Sequence, residues 1–454
     1  MDIRSLAILA VVAFVGLRAL KYPHYGVYLL MWVGYMNPHR LVPWGIVYSM
    51  PIAAFAFVVT VIGYLMMKDK EKPAIPQAFL ILALFWVWCG ICTIYAINQE
   101  AALEEYIRYT KILLSTLLFL MIIRSENHIK AAVWVIALSI GFYGIKGGMF
   151  SILTGGQHRV WGPVQSFIEG NNEIALALLM VLPLFYFLYQ YASHKAIKYA
   201  TAAAMLLCVI SVVTSYSRGA FLALGVTILF LWSKSSKKLP LAIIGFVVLL
   251  SFVPFIPDHW YERMETIQTY EQDGSAMGRI NAWHVAINIA SDRITSGGFN
   301  HWGSETFLLY APNPTDIHDS HSIYFEVLGE QGYIGLVIFL IFLFTIWRTC
   351  SQNIRKSNSS LSWCGDLSKM LQVSLVAYCS GGAFLGLAYW DLPYHIFALS
   401  VVTSLYIKRY EHAEYASENN ADHKNAHRPL RARSENNADH KSAHRPLRAR
   451  YEYR

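Results

Sequence analysis

The sequence predicts an all-α, polytopic integral membrane protein with about 12 or 13 transmembrane helices. Of its 454 residues, 55% are hydrophobic and only 15% are charged, and the mean hydropathy is positive. The apolar residues gather into stretches close to the roughly 20 residues that cross about 30 Å of hydrocarbon. Because lipid offers no hydrogen-bonding partners, the backbone of each stretch must pair within itself, as it does in a helix.

Twelve apolar stretches are long enough to be predicted spans: 5–20, 48–67, 76–96, 109–123, 130–152, 172–192, 198–214, 219–233, 239–256, 322–347, 369–389 and 393–407. A thirteenth stretch, 25–36, is short, so the number of helices in the first 45 residues stays open. The first span lacks a small-residue cleavage pattern and many spans follow it, so we expect no cleavable signal peptide.

Lys and Arg concentrate in alternate loops, which predicts the orientation of the chain in its membrane. The basic loops, predicted to be cytoplasmic, are 68–72, 124–130, 193–198, 233–238 and 348–369. The opposite side, which in a bacterial inner membrane would be the periplasm, then holds 153–171 and the large loop 257–320. By the same alternation the C-terminus is cytoplasmic.

The chain divides by composition into a membrane domain, 1–410, and a tail, 411–454. The large loop 257–320 belongs to the membrane domain. The tail carries a tandem repeat of 17 residues, SENNADHKNAHRPLRAR followed by SENNADHKSAHRPLRAR. Low hydrophobicity and dense charge predict a disordered basic appendage that can contact anionic lipid.

Several cations lie on the side where orientation does not require them. The ones at helix ends or in loops of that side include Lys146, Arg159, Arg218 and Arg279. Ionisable groups at the membrane surface are costly and are usually functional or paired. Arginine forms bidentate, charge-assisted bonds with phosphate, so this group predicts a site for a lipid diphosphate.

Arg218 stands in TSYSRGA, directly before an apolar run. One interpretation is an interfacial anchor that snorkels to headgroups. The alternative is a ligand-binding arginine, which the neighbouring serines, Ser217 among them, and a glycine favour because they add hydroxyl donors and permit close backbone approach.

The large loop contains GRINAWHVAINIA, whose apolar spacing is helical. A helix beginning near Gly278 would direct its first N–H groups and Arg279 at one anion. The chain then re-enters the membrane through HDSHSIYFEVLGEQGYIG.

His321 stands at the top of that span, near His318, Asp319 and Glu326. A neutral imidazole can accept a proton near pH 7, so His321 is a candidate general base. The alternative is a hydrogen-bonded structural histidine. Two histidines and one carboxylate are a weak metal signal, and Cys89 and Cys92 have neither a second pair nor a nearby histidine, so we expect no metal, cofactor or disulfide framework.

Together these residues resemble a known family. The stretches MNPHR, GQHRVWGP, FIEGNNE, TSYSRGA, MGRINAW and HDSHSIYFEVLGEQGYIG are similar to the O-antigen ligase and polymerase superfamily of bacterial inner-membrane glycosyltransferases. The MNPHR and NNE stretches resemble its branch of O-glycosylation ligases associated with the exosortase A system. Many members carry asparagine where this chain has Ser322.

The resemblance implies a helical fold of the GT-C type and a metal-independent, inverting transfer of a glycan from undecaprenyl diphosphate to an acceptor hydroxyl at the periplasmic face. Arg218 and Arg279 match the diphosphate-binding arginines, and His321 matches the histidine that activates the acceptor. Residues expected to support the histidine or contact sugar are Glu169, Asn171, Asn172, Glu173, Tyr324, Trp161 and Trp302, together with Ser217, His318 and Asp319, although capping or interfacial roles remain open for them.

Three functions stay open at this point. A ligase would transfer the glycan to a lipid or protein acceptor, for example in lipopolysaccharide assembly. A polymerase of O-antigen or exopolysaccharide needs the same donor and base, and only the acceptor distinguishes it. A transporter of lipid-linked glycan is disfavoured because the charges gather at one face and no helix repeat is visible. The expected partners are donor lipid, acceptor and membrane, with no nucleic acid.

Overall fold

The computed structural model describes residues 3–42, 46–68, 77–234 and 274–426. Within these ranges the chain forms helices and no strand. The helices in chain order are α1 (Ile3–Lys21), α2 (Pro23–Met36), α3 (Ile46–Ser49), α4 (Ile52–Met66), α5 (Gln77–Ile94), α6 (Gln99–Ile122), α7 (Glu126–Leu153), α8 (Asn171–Gln190), α9 (Lys195–Val213), α10 (Arg218–Lys234), α11 (Gly274–Asp292), α12 (Ser304–Tyr310), α13 (Ile323–Lys356), α14 (Ser362–Gly381) and α15 (Asp391–Ala426).

The all-α, polytopic membrane class is confirmed. In the described ranges, five helices are long and apolar enough to cross a membrane, namely α1, α7, α8, α9 and α13, and α4 and most of α5 are shorter apolar helices. The short stretch 25–36 lies within α2. The predicted span 239–256 lies outside the described residues, so the total of 12 or 13 stays a prediction.

The bundle has two distinct ends, and the candidate site lies at one of them. We call the end at which α8, α10 and α13 begin, and α7 and α14 end, the site end. There the N–H of Val160 donates to the Thr214 carbonyl at 3.2 Å, which joins the loops before α8 and α10. At the opposite end, Tyr191 donates to Asp366 at 2.8 Å, and Lys130 lies 5.3 Å from the Tyr191 ring centroid. The basic loops 124–130 and 193–198 are therefore at the end away from the site.

Close helix contact at the site end depends on small residues of α7. A methyl group on Gly148 would lie 2.2 Å from the carbonyl oxygen of Leu207 on α9. Only a residue without a side chain lets the two backbones approach this closely, so α7 and α9 pack as a rigid pair.

A kink in α13 directs its first turns over the end of α14. Gly332 has φ 68° and ψ −174°, a conformation outside the helical region. A methyl group there would lie 2.6 Å from the Ile294 carbonyl oxygen. Beyond the kink, α13 packs along α14, where Gln372 donates to Ser351 at 2.8 Å. Before it, Ile323 reaches Gly382 at the far end of α14.

The C-terminal helix is longer than the sequence indicated. Disorder was predicted from residue 411, but α15 continues through Ala426, into the first repeat. Residues 408–426 are rich in Ala and Glu, which favour helix, and the next proline is Pro429. The prediction for residues 427–454 lies outside the described residues.

Candidate functional site

The loop before α13 holds His321 in an unusual backbone conformation. His321 has φ 43°, in the left-handed region that non-glycine residues rarely adopt. Its side chain is half-buried, and the residues on either side, Ser320 and Ser322, are buried. Such a conformation persists only where the surroundings hold it.

Helix α11 provides that support through two side chains. The Asn281 amide donates to the carbonyl oxygens of Asn313 and Asp316 at 2.8 and 2.9 Å, and its oxygen accepts the Asn313 N–H at 2.9 Å. The Trp283 indole N–H donates to the Ser320 carbonyl at 2.7 Å. The loop is thus fastened to α11 on both sides of His318.

The Trp283 ring also stacks on Phe325, with centroids 4.7 Å apart and 11° between the planes. This contact joins α11 to the first turn of α13. His321 therefore lies between two elements that are held to each other.

Arg279 and His321 are close enough to interact electrostatically. Burial lowers the pKa of His321, the positive charge of Arg279 lowers it further, His318 acts in the same direction, and Asp319 raises it. The imidazole is consequently neutral near pH 7, which is the state that a general base requires.

His318 is engaged elsewhere in the loop. Its Nε2 lies 2.9 Å from Asp316 Oδ1, and its ring packs against Gly278, where a methyl group would lie 2.3 Å from His318 Cδ2. Gly278, the residue before Arg279, thus contacts the His318 ring. This contact brings Arg279 close to the HDSH stretch.

The predicted start of this helix was wrong. The sequence suggested Gly278, but α11 begins at Gly274, so Gly278 and Arg279 lie in its second turn. Their N–H groups are within the helix rather than at its free end. The cationic character here comes from the Arg279 side chain and not from the helix terminus.

The first turn of α8 lies near both the loop before Arg218 and Arg279 on α11. Asn171 Nδ2 donates to the Ser215 carbonyl at 2.8 Å, which fixes the loop before Arg218. Two residues on, Glu173 lies within electrostatic range of Arg279 and Asp319. Asn172 is half-buried in the same turn.

Arg218 is the first residue of α10, and Ser217 is its N-cap. The Ser217 hydroxyl oxygen accepts the Ala220 N–H at 3.1 Å, and the side chain is buried. The oxygen therefore caps the start of the helix, while the role of the same hydroxyl as a donor to a ligand stays a prediction.

The starts of α10 and α13 both contact the turn Gly382–Phe384. A methyl group on Gly219 would lie 2.7 Å from Phe384 Cβ, and one on Gly382 would lie 2.7 Å from Ile323 Cδ1. Gly219 follows Arg218, and Ile323 is two residues after His321. The structure thus brings the starts of α10 and α13 together at the site end.

Arg159 and Lys146 lie nearby, with different surroundings. Burial raises the pKa of Tyr216, and the Arg159 guanidinium opposes that rise, so Arg159 is within range of the loop before Arg218. Lys146 is exposed on α7, seven residues before the helix ends. No hydrogen bond or ion pair joins it to another described residue.

Several residues that were expected to contact sugar make hydrogen bonds within the protein. Glu169 accepts the Gln165 N–H at 2.7 Å within its own loop. The Tyr324 hydroxyl donates to the Cys379 carbonyl at 2.9 Å, and the Trp302 indole lies 3.3 Å from Glu330. Trp161 has 59% of its surface exposed and is free to stack on a ligand.

Sequence reasoning missed the positioning roles of Asn281 and Trp283. Both stand in the MGRINAW stretch, but nothing in the spacing shows that their side chains bond to a loop more than 30 residues away. The available signal was that Asn281 and Trp283 each carry a side-chain N–H donor within a helical pattern of apolar residues.

The comparisons with known proteins match two regions of the chain. Residues 203–340 match the family described as O-Antigen ligase, and this region contains Arg218, Arg279 and His321. Residues 3–195 match a family of unknown function, DUF5935, and include Lys146, Arg159 and Glu173. No curated protein matches the chain.

Proposed function

We propose, from the match of residues 203–340 to the O-antigen ligase family, that the chain transfers a glycan from undecaprenyl diphosphate to an acceptor hydroxyl. The transfer inverts the anomeric centre and needs no metal. His321 is the general base, and Arg218 and Arg279 bind the diphosphate, with Arg159 and Lys146 adding positive charge.

One observation carries the proposal: the loop with a half-buried histidine, whose pKa is lowered by burial and by Arg279, leads into α13, and the starts of α13 and α10 contact the same turn, Gly382–Phe384. A base and anion-binding groups must be adjacent for one displacement reaction. The base meets the acceptor, and the cations meet the leaving group.

The chemistry follows from these positions. The acceptor oxygen attacks the anomeric carbon while His321 takes its proton, and the bond from that carbon to the diphosphate oxygen breaks with both electrons leaving on the diphosphate. Guanidinium groups in a poorly hydrated site stabilise the negative charge that develops. They supply the charge that a metal ion supplies in other transferases.

The hydrocarbon chain of the donor lipid also needs an apolar binding surface beside the arginines. A groove between α13 and α14 runs from Leu343 and Trp347 to Leu375 and Ser380. Ser380 is close to the Gly382–Phe384 turn that Gly219 contacts. A polyprenyl chain in this groove would leave its diphosphate at Arg218.

The proposed setting is the bacterial inner membrane, with the site end facing the periplasm and the C-terminus in the cytoplasm. The end away from the site carries the basic loops, and this agrees with the positive-inside tendency. The proposal extends to the exosortase-associated branch, whose members are named for O-glycosylation.

A direct test uses the purified full-length chain in lipid nanodiscs with a lipid-diphosphate glycan as donor. Candidate acceptors are lipid A core, a protein rich in Ser and Thr, and a second donor molecule. We expect transfer to one of the first two, with loss of transfer in His321→Ala but retained donor binding, and loss of donor binding in Arg218→Ala.

Tyr199→Ala, which removes an exposed aromatic side chain of α9 near the end away from the site, serves as the surface control and should retain the donor affinity. Chain growth on the second donor molecule would identify a polymerase instead. Transfer that survives both His321→Ala and Arg218→Ala would contradict the assigned site.

A further inference from the structure

The loop after α7 is fastened at two points to the loop that leads into α10. The Tyr216 hydroxyl donates to the Gly156 carbonyl, and the Val160 N–H donates to the Thr214 carbonyl at 3.2 Å. The loop after α7 therefore keeps its position relative to Arg218, the first residue of α10.

Trp161 follows Val160 directly, and the residue after it is held as well. The Gly162 N–H donates to the Glu169 carbonyl at 2.8 Å, and a methyl group on Gly162 would lie 1.5 Å from the Ile168 carbonyl oxygen. A residue with a side chain does not fit at that position. The backbone of Trp161 is thus fixed on both sides, which restricts the directions in which its side chain can point.

The Trp161 side chain is nevertheless 59% exposed. Within the described ranges, no hydrogen bond, ion pair or ring contact joins it to another residue. A large aromatic ring that the backbone already holds in place has little conformational freedom left to lose when a ligand packs against it, and such preorganisation favours binding.

Arg159 and Trp161 are both exposed, and Val160 between them is buried. This alternation indicates that the side chains of Arg159 and Trp161 leave the loop on the same side. Two residues that are two positions apart are separated by at most roughly 7 Å of chain. A cation and an exposed aromatic ring therefore stand side by side, next to the loop that leads into Arg218.

This pairing suits the chemistry of the donor. In a glycan linked to a lipid diphosphate, the first sugar is bonded directly to the diphosphate. A site that binds the diphosphate through Arg218 and Arg159 must therefore place that sugar within a few bond lengths of the cations. The C–H groups on one face of a pyranose ring can pack on the electron-rich face of an indole.

We propose that Trp161 is the platform on which the sugar bonded to the diphosphate of the donor packs. This inference rests on the proposed function and deepens it, because it assigns a residue that distinguishes the glycan-bearing donor from the bare carrier lipid. A tryptophan that only anchored the protein at the membrane interface would not make that distinction.

The first test measures binding to the full-length chain in nanodiscs for undecaprenyl diphosphate without sugar and for the same lipid with one sugar. Trp161→Ala should weaken binding of the sugar-bearing lipid about tenfold and leave binding of the sugar-free lipid unchanged. Trp161→Phe, which keeps an aromatic face, should recover much of the loss. Val164→Ala is the matched control, because Val164 is an exposed apolar residue of the same loop, and it should bind both lipids as the wild type does.

The second test uses the wild-type chain and so does not depend on the folding of a variant. Hydroxyl radicals oxidise exposed tryptophan, and peptide mass spectrometry resolves the rate at Trp161 from the rates at the other tryptophans. The lipid with one sugar should slow the oxidation of Trp161 at least threefold relative to the sugar-free lipid.

Equal protection of Trp161 by both lipids would overturn the inference, because the ring would then contact the carrier and not the sugar. Protection that appears only with a longer glycan would also overturn it, since the ring would then lie at a more distant sugar. Failure of the proposed function has a different signature, because Arg218→Ala would then bind the sugar-free lipid as tightly as the wild type.

Discussion

The side-chain amide of Asn281 donates a hydrogen bond to the Asp316 carbonyl oxygen over 2.9 Å, so a residue two positions after Arg279 holds the loop that carries His321. Neither side chain belongs to the reacting groups. Their contact nevertheless limits the distance between His321, the proposed base, and Arg279, the proposed diphosphate-binding residue, because it holds the loop to α11.

Replacing Asn281 with alanine should therefore release the loop. Three hydrogen bonds are lost, at roughly 1 kcal/mol each, and local opening of residues 313–322 becomes easier. We expect amide hydrogen exchange in that segment to accelerate at least tenfold and kcat to fall, with the global fold retained.

The matched control is Asn288→Ala on the same helix. Asn288 donates to the Tyr310 carbonyl at 2.8 Å, so its loss should accelerate exchange near Tyr310 and leave 313–322 protected. Equal exchange in both variants would contradict the role of Asn281.

The kink at Gly332 gives a second prediction. With φ 68° and a carbonyl oxygen 2.6 Å from the position of a Cβ atom, Gly332→Ala combines backbone strain with a steric clash. We expect a loss of about 1 to 3 kcal/mol in stability, seen as a lower thermal unfolding temperature, and a larger loss of transfer because Ile323 and His321 shift.

Gly225→Ala is the control for this substitution. Gly225 lies in α10 with open space around its Cβ position, and alanine has the higher helix propensity. That variant should be as stable as the wild type or more stable. A Gly332→Ala protein that unfolds and transfers normally would show that the kink is not required.

The helices, the site motifs and the kink at Gly332 differ in how far the sequence could predict them. Apolar stretches of membrane-spanning length identify helices, because burial in lipid acts on each stretch locally. The motifs around Arg218, Arg279 and His321 could be recognised for the same reason, since arginine and histidine stand out against apolar neighbours. The kink at Gly332 lies inside one continuous apolar span, and only its contact with Ile294 explains it.

The roles of the neighbouring polar residues were harder to predict. Ser217 and Tyr324 are predicted ligand contacts, and the structure shows that one caps α10 and the other bonds to the Cys379 carbonyl. A hydroxyl group can bond to a sugar or to a backbone atom equally well, and the choice depends on which chain segments the fold brings near. The spacing of residues along one chain carries no information on that.

His301 makes stability depend on pH. Burial is the main cause that lowers the pKa of His301, to about 3, against an ordinary value of 6.5. Between these values the unfolded chain binds a proton that the folded chain does not, so stability is lost as pH falls from 6.5 towards 3, by about 1.4 kcal/mol per pH unit.

Thermal unfolding in detergent at pH 7, 6 and 5 should show this loss, and His301→Leu should reduce its slope whatever the absolute stability of the variant. His284→Leu is the control, because His284 is exposed on α11 and its removal should leave the slope unchanged. Identical slopes in the wild type and His301→Leu would mean that His301 does not provide the pH dependence.

The N-cap of α10 allows the anion site to be tested without removing an arginine. Ser217→Ala removes the bond to the Ala220 N–H and should cost about 1 kcal/mol. Ser217→Asn and Ser217→Asp both keep a capping oxygen, and aspartate also suits the positive end of the helix, so both should be more stable than the alanine variant.

The two capping variants differ in charge at the residue before Arg218. If a diphosphate binds there, Ser217→Asp repels it and should weaken donor binding at least tenfold relative to Ser217→Asn, measured by titration of donor lipid in nanodiscs. An uncharged ligand would bind both variants alike. Equal donor affinity in two variants of similar thermal stability would therefore exclude a diphosphate at Arg218, because only the negative charge of the aspartate distinguishes them.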